Sequence, residues 1–264
     1  MTGACQNDTP FRHGGLFQRP QYTLWMTVCQ VEKKKEILLP IVASGIYCSA
    51  MKISELETAV GGLSTPSKMP GLSYGTPAKD CPVGSMLRKV KGSVCSKCYA
   101  HKGMYSFANV KAAQAKRLAI LTGDLEGWRK NMTTLLERKY AKKNGPDAVF
   151  RWHDSGDIQS PEHLSAIVQI AKDLPGIRFW IPTKEYGIVR RWLTAHPEGF
   201  PSNLAVRVSA PMIGREATAI PGTLSSTVGY ANGFQCEAYT RGGVCGDCRA
   251  CWNTEIPSVN YPQH

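Results

Sequence analysis

Between Phe107 and Tyr140 the apolar residues return every three or four positions. Phe107, Val110, Ala113, Leu118 and Leu121 form one stripe, and Leu125, Trp128, Met132, Leu135, Leu136 and Tyr140 form a second. Two amphipathic helices are predicted, about 106–121 and 125–143, with Asn144-Gly145-Pro146 ending the second. Past residue 147 the rhythm changes to short apolar runs, predicted as strands at 148–153, 177–181 and 204–209. The intervening stretches read as helices. One is capped by Ser160, with Pro161 at its first position, and runs to Leu174; the next runs from Glu185 to Ala195. The strand starts are 29 and 27 residues apart, the length of a βαβ unit. The predicted class is therefore α/β: a partial (β/α) barrel or an open parallel sheet, followed by a cysteine-rich C-terminal segment.

Residues 1–50 show no sustained period, and we expect a poorly structured N-terminal extension there. Residues 51–264 are expected to form a single α/β metal-cluster domain. Ser54 is the expected cap of a first helix. The Gly-, Pro- and Ser-rich stretch 61–82 reads as an extended loop.

In a parallel sheet, polar residues just after a strand gather on the carboxyl edge, where α/β folds place their sites. That singles out His153, Asp154 and Asp157 after the first predicted strand, Thr183 and Lys184 after the second, and Arg207 and Ser209 at the third. Asp154, Asp157 and Lys184 are the candidate catalytic, proton-transferring groups. His153, Thr183, Arg207 and Ser209 are candidates for holding a cofactor. The competing reading is that the two aspartates cap a turn and a helix. Trp152, Trp180 and Tyr186 could stack a base, but two of them lie inside strands, where core packing is the commoner role.

The net charge of +12 changes the picture because it is localised. Residues 88–143 carry fourteen Lys/Arg against three Asp/Glu, whereas the rest of the chain is nearly balanced. Such a block attracts polyanions, so nucleic acid is the expected partner through 88–143; a solvated helix surface is the alternative. The longest apolar run, 37–47, is interrupted by Pro40 and too short to span a bilayer, so no membrane partner is expected.

Ten cysteines in a chain expected to be intracellular point to metal or redox chemistry rather than disulfides. Cys81, Cys95 and Cys98 form an early group; Cys236, Cys245, Cys248 and Cys251 form a late one. The run Cys245-Gly-Asp-Cys-Arg-Ala-Cys251 has two consecutive two-residue spacings, which suit a cuboidal iron–sulfur cluster better than one zinc ion. With Cys236 the late group can close a [4Fe–4S] site. The early three would leave one iron open to a small ligand. Zinc remains the alternative metal, as does one ion shared by Cys95, Cys98 and two late cysteines.

The segments KMPGLSYGTPAKDCP, VCSKCYAHKGMY, FRWHDSGDIQS and RFWIPTKEYG, together with the closing cysteine run, resemble the phage "gene product 88" family over about 69–252. That resemblance implies a viral origin and a host-cell cytoplasmic location. More distantly, CSKCY is similar to the end of the radical S-adenosylmethionine (SAM) signature, which implies a partial barrel, a three-cysteine cluster and SAM as a ligand. Four features depart from that pattern: thirteen residues separate Cys81 from Cys95, Tyr99 follows the last cysteine, no glycine-rich SAM-binding strand end is visible, and the stretch 85–94, where the cluster strand would lie, reads as a basic loop. The combined expectation is a protein with one or two [4Fe–4S] clusters, a radical-SAM-like or other redox enzyme acting on nucleic acid and served by an electron donor. The alternative is a zinc-bearing nucleic-acid binder without catalysis.

Overall fold

The computed structural model describes residues 51–143 and 145–263. The expectation for residues 1–50 lies outside them. The described residues fall within one compact unit.

Among the described residues, seven strands make a single sheet: β1 (Leu72–Tyr74), β2 (Val149–Trp152), β3 (Arg178–Thr183), β4 (Leu204–Ser209), β5 (Leu224–Val228), β6 (Phe234–Gln235) and β7 (Ser258–Tyr261). The order is β1-β2-β3-β4-β5-β7-β6, and every pairing is parallel. Because β1 through β5 are laid down in chain order, right-handed crossovers put their helices on one face. β1 and β6 are the two edges and do not pair with each other, so the sheet is not closed into a barrel.

The helices are α1 (Ile53–Val60), α2 (Pro82–Leu87), α3 (Ala108–Gly123), α4 (Leu125–Tyr140), α5 (Pro161–Asp173) and α6 (Tyr186–Ala195). α4 begins where the Asp124 carboxylate accepts from Gly127 N–H (2.9 Å). Its Trp128, Met132, Leu135 and Leu136 are fully buried. α5 begins where Ser160 Oγ accepts from His163 N–H, with Pro161 at the first position. α1 starts after Lys52, whose N–H is accepted by Glu55; Ser54 is inside the helix and is not its cap.

Strand alternation divides the sheet into two faces. Phe150, Trp152, Phe179, Ile181, Leu204, Val206 and Val208 pack under the helices in the main core. Val149 and Trp180 point the other way, onto Trp252 and Cys251 of the cysteine-rich tail and Tyr261 of β7. The helices cover one face and the tail covers the other.

Two sequence expectations change here. The 61–82 stretch, expected as an extended loop, contains β1, whereas 85–94 forms no strand, as its sequence predicts. In α3, Phe107 at the head of the expected stripe is exposed, and Arg117 is buried in its place. The Arg117 guanidinium donates to Gly61 O and Ser64 Oγ and lies 5.4 Å from the Tyr74 ring centre, so the helix docks partly through a satisfied cation.

Candidate functional site

A cavity of about 380 Å³ opens at the carboxyl edge of the sheet. β2 supplies its floor through Arg151 and the turn His153-Asp154-Ser155-Gly156-Asp157; β3 supplies Trp180, Thr183 and Lys184; β4 and β5 supply Ser209 and Ser226. Cys81, Cys95 and Cys98, carried by the segment after β1, form its roof.

Six of the seven predicted non-cysteine residues therefore line one space: His153, Asp154, Asp157, Thr183, Lys184 and Ser209. Arg207 does not. It is fully buried, and its five N–H donors go to backbone carbonyls: Nε to Cys251 (3.0 Å), Nη1 to Ser225 and Ile256 (3.3 and 2.9 Å), Nη2 to Ala250 and Asn253 (3.1 and 2.7 Å). Its planar fork ties the cysteine tail to the sheet and leaves no donor for a cofactor.

Asp157 is a structural knot as well as a lining group. Its carboxylate accepts from Thr183 Oγ1 (2.7 Å) and from the N–H groups of Lys184 and Ile158 (2.9 and 2.8 Å). Burial raises its carboxyl above the usual range, against those hydrogen bonds. Glu185, next along, was not foreseen because it reads as the start of a helix. Burial pushes its carboxyl up to about 7, with the nearby Asp157 charge adding to the rise, while Val83 N–H donates to it at 2.8 Å. The two acids sit below the cysteine roof and act electrostatically on Cys81, whose thiol is pushed up chiefly by burial.

At the β2 turn several buried polar atoms have no hydrogen-bond partner among the described residues: both ring nitrogens of His153, Asp154 Oδ1, Ser155 Oγ and Thr76 Oγ1. His153 adopts φ +55°, uncommon outside glycine, and packs edge-on against His163 (5.3 Å). Burial holds both imidazoles neutral, His163 down to about 3. Gly156, at φ +83°, approaches Thr76 so closely that a Cβ would lie 1.9 Å from its Oγ1. Strain and unpaired polarity are thus concentrated at this strand end.

The seven described cysteines are free thiols. A Cβ built on Gly84 would lie 3.4 Å from Cys81 Sγ and 3.7 Å from Cys95 Sγ, so both sulfurs face one small gap. Charges acting on Cys81 and Cys95 come from Cys98, Asp157 and Glu185, with Lys184 opposing at Cys95. Those acting on Cys245 and Cys251 come from Cys236, Cys248 and arginines. The thiols thus gather as an early and a late group, not as one mixed set. Among the described residues no three His, Cys, Asp or Glu side chains converge on a single-ion site. One tetrahedral zinc would hold its sulfurs about 3.8 Å apart. A cuboidal cluster, binding each thiolate to a different iron, accepts wider spacing.

Arg151, also unforeseen, lies between the groups. Its Nη2 donates to Tyr99 Oη at 2.9 Å, next in chain to Cys98, and its guanidinium stacks on Trp180 at 4.5 Å. Trp180 packs against Trp252 (5.3 Å), and Tyr261 Oη lies 3.2 Å from Cys251 Sγ. Trp152, by contrast, is wholly core, and Tyr186 is half-buried with its hydroxyl on Ser209 O.

The model of the family described as Gene product 88 matches residues 49–254, and the chain belongs to that family. No curated protein and no solved structure matches it.

Proposed function

We propose that this member of the gene product 88 family is an iron–sulfur redox protein, in which Cys81, Cys95 and Cys98 would hold a [4Fe–4S] cluster with one iron left without a protein thiolate. Cys236, Cys245, Cys248 and Cys251 hold a second, fully ligated cluster. The observation that carries the reading is the position of the early cysteines: all three roof the same cavity that the strand-end polar residues line. When bound, a cluster of this kind supplies one-electron transfer and, at an open iron, a Lewis-acid position for a ligand.

The chain's own residues have separable roles in this reading. Asp157 fixes the β2 and β3 turns against each other through Thr183 and the Lys184 N–H. Lys184 brings a cation toward Cys95, offsetting negative charge at the roof. Glu185, buried beneath the roof, accepts from Val83 N–H and so anchors the start of the segment that carries Cys81. Asp154 Oδ1 and Ser155 Oγ, on two residues that line the cavity, offer unpaired polar atoms to a bound molecule. SAM is the small ligand to test in that space, on the distant resemblance of CSKCY, although the cysteine spacing departs from the usual signature.

The experiment is a pair of variants prepared without oxygen. Cys95→Ser and Cys248→Ser should each remove about half of the iron and half of the absorbance near ~400 nm, because they disable different clusters. Loss of all metal in either variant would mean one shared site. Zinc retained at full occupancy in a colourless protein would favour the second reading, a zinc-stabilised nucleic-acid binder without turnover.

A further inference from the structure

The basic block does not act as one surface. On α4, the cations are largely consumed inside the fold: Arg129 pairs with Glu126 (2.8 Å) and Asp173 (3.2 Å), Lys130 with Glu126 (3.5 Å), and Lys139 with Glu57 (2.7 Å). The segment around the early cysteines differs. From residue 81 to residue 123 there are eight Lys/Arg and no Asp or Glu. Among the described residues, Lys79, Arg88, Lys89, Lys91, Lys97 and Lys102 take part in no ion pair.

Some of these cations enclose a space. A second cavity of about 380 Å³ is lined by Ala78, Lys79, Ser85, Arg88, Lys89 and His101, and Ala78 also lines the cysteine-roofed cavity. Arg88 Nη1 is 3.3 Å from His101 Nδ1, so its guanidinium is held by a ring and not by a carboxylate. Burial, and then proximity to Arg88, lowers the His101 imidazole. The same segment of chain also holds large apolar side chains in the open: Met86 (63% exposed), Tyr99 (53%), Met104 (70%) and Phe107 (57%). Unpaired cations beside exposed rings and thioethers are the composition of a single-strand track, in which phosphates meet Lys/Arg and bases stack. A base within a duplex could not reach the neighbouring cavity without leaving its stack.

We propose that the groove of Lys79, Ser85, Arg88, Lys89 and His101 binds a phosphate of single-stranded nucleic acid and directs the adjoining nucleotide into the cysteine-roofed cavity. The proposal deepens the redox reading by naming the substrate class of that cavity, and it depends on that reading only for what happens there. Strand binding by the groove stands without it.

The test is fluorescence anisotropy of a labelled mixed-sequence single-stranded oligonucleotide over a salt series, on full-length protein whose iron and zinc are measured in the same samples. Arg88→Ala/Lys89→Ala should weaken binding at least about tenfold and lower the salt slope by roughly 0.7 for each phosphate that is no longer neutralised. Lys130→Ala/Lys139→Ala, an equal charge change on α4, should leave affinity within about twofold. Phe107→Ala/Met104→Ala should weaken the strand about tenfold while leaving competition by inorganic polyphosphate unchanged. Equal losses in the α4 and groove variants, displacement as effective by polyglutamate, or no binding at low salt would overturn the proposal. So would competition by inorganic phosphate or a mononucleotide that matches the strand, since that marks a small-anion site. Protein purified without oxygen that holds no iron yet binds the strand would sink the cluster reading alone, through its metal content; iron-loaded protein that ignores the strand would sink this one alone.

Discussion

Replacing Arg207 by methionine separates a clamp from a ligand-binding arginine. The side chain is fully buried and its guanidinium holds five carbonyls, four of them on 250–256. A methionine of similar length keeps much of the packing and removes every donor. Hydrogen bonds to a charged group contribute about 1.5–3 kcal/mol each, but five do not add, and most of these carbonyls can regain water once the tail loosens. Breaking such a buried cationic network costs about 3–5 kcal/mol, against a total stability of about 5–15 kcal/mol. With a urea slope of about 2–3 kcal/mol per molar, the midpoint should fall by roughly 1–2 M. The tail around Cys245–Trp252 should also become accessible to protease. Arg207→Lys, with three donors and no planar fork, should recover only part of the loss. A methionine variant that loses under about 1 kcal/mol and keeps the tail protected would refute the clamp.

Gly84→Ala should lower iron retention at the early site and spare the late one, because the new Cβ would lie 2.8 Å from Cys81 Cβ and enter the gap between two sulfurs; iron per chain, compared with Cys95→Ser, checks it. His163→Gln should change how stability depends on pH. The folded imidazole is held down to about 3, so it stays neutral while the unfolded one gains a proton below ~6.5. Its contribution is therefore complete above ~6.5 and is lost as pH falls, at up to ~1.4 kcal/mol per unit. Urea midpoints of both proteins at several values between about pH 7 and 5 should show the wild type losing more on acidification; parallel curves would contradict a neutral buried His163. Arg151→Gln should shift the reduction potentials of both clusters downward by spectroelectrochemistry, since a cation between them favours the more negative, reduced state; a shift confined to one would mean that Arg151 does not serve both.

The repeating centre of the fold was legible because each of its elements obeys a local rule. Ser160 and Pro161 start α5, and Phe150, Trp152, Phe179 and Ile181 make β2 and β3 read as buried strands. The flanks obey weaker rules. β1 is three residues long within a Gly/Pro-rich stretch, and β5, Leu-Ser-Ser-Thr-Val, turns Ser226 toward the cavity and so lacks an apolar run. Strand-end logic found six cavity residues, but it misplaced Arg207, because a charge within a strand looks the same whether it serves a ligand or the backbone of a distant loop. Glu185 and Arg151 went unnoticed for the converse reason: their environment comes from Val83, Tyr99 and Trp180, which lie far away in sequence.

The central claim rests on iron bound by two sets of thiols, and the most direct test is iron, zinc and acid-labile sulfide per chain in full-length protein purified without oxygen. The account predicts about eight irons with matching sulfide and a broad absorbance near ~400 nm that bleaches on reduction. Iron near zero with no such band would contradict it.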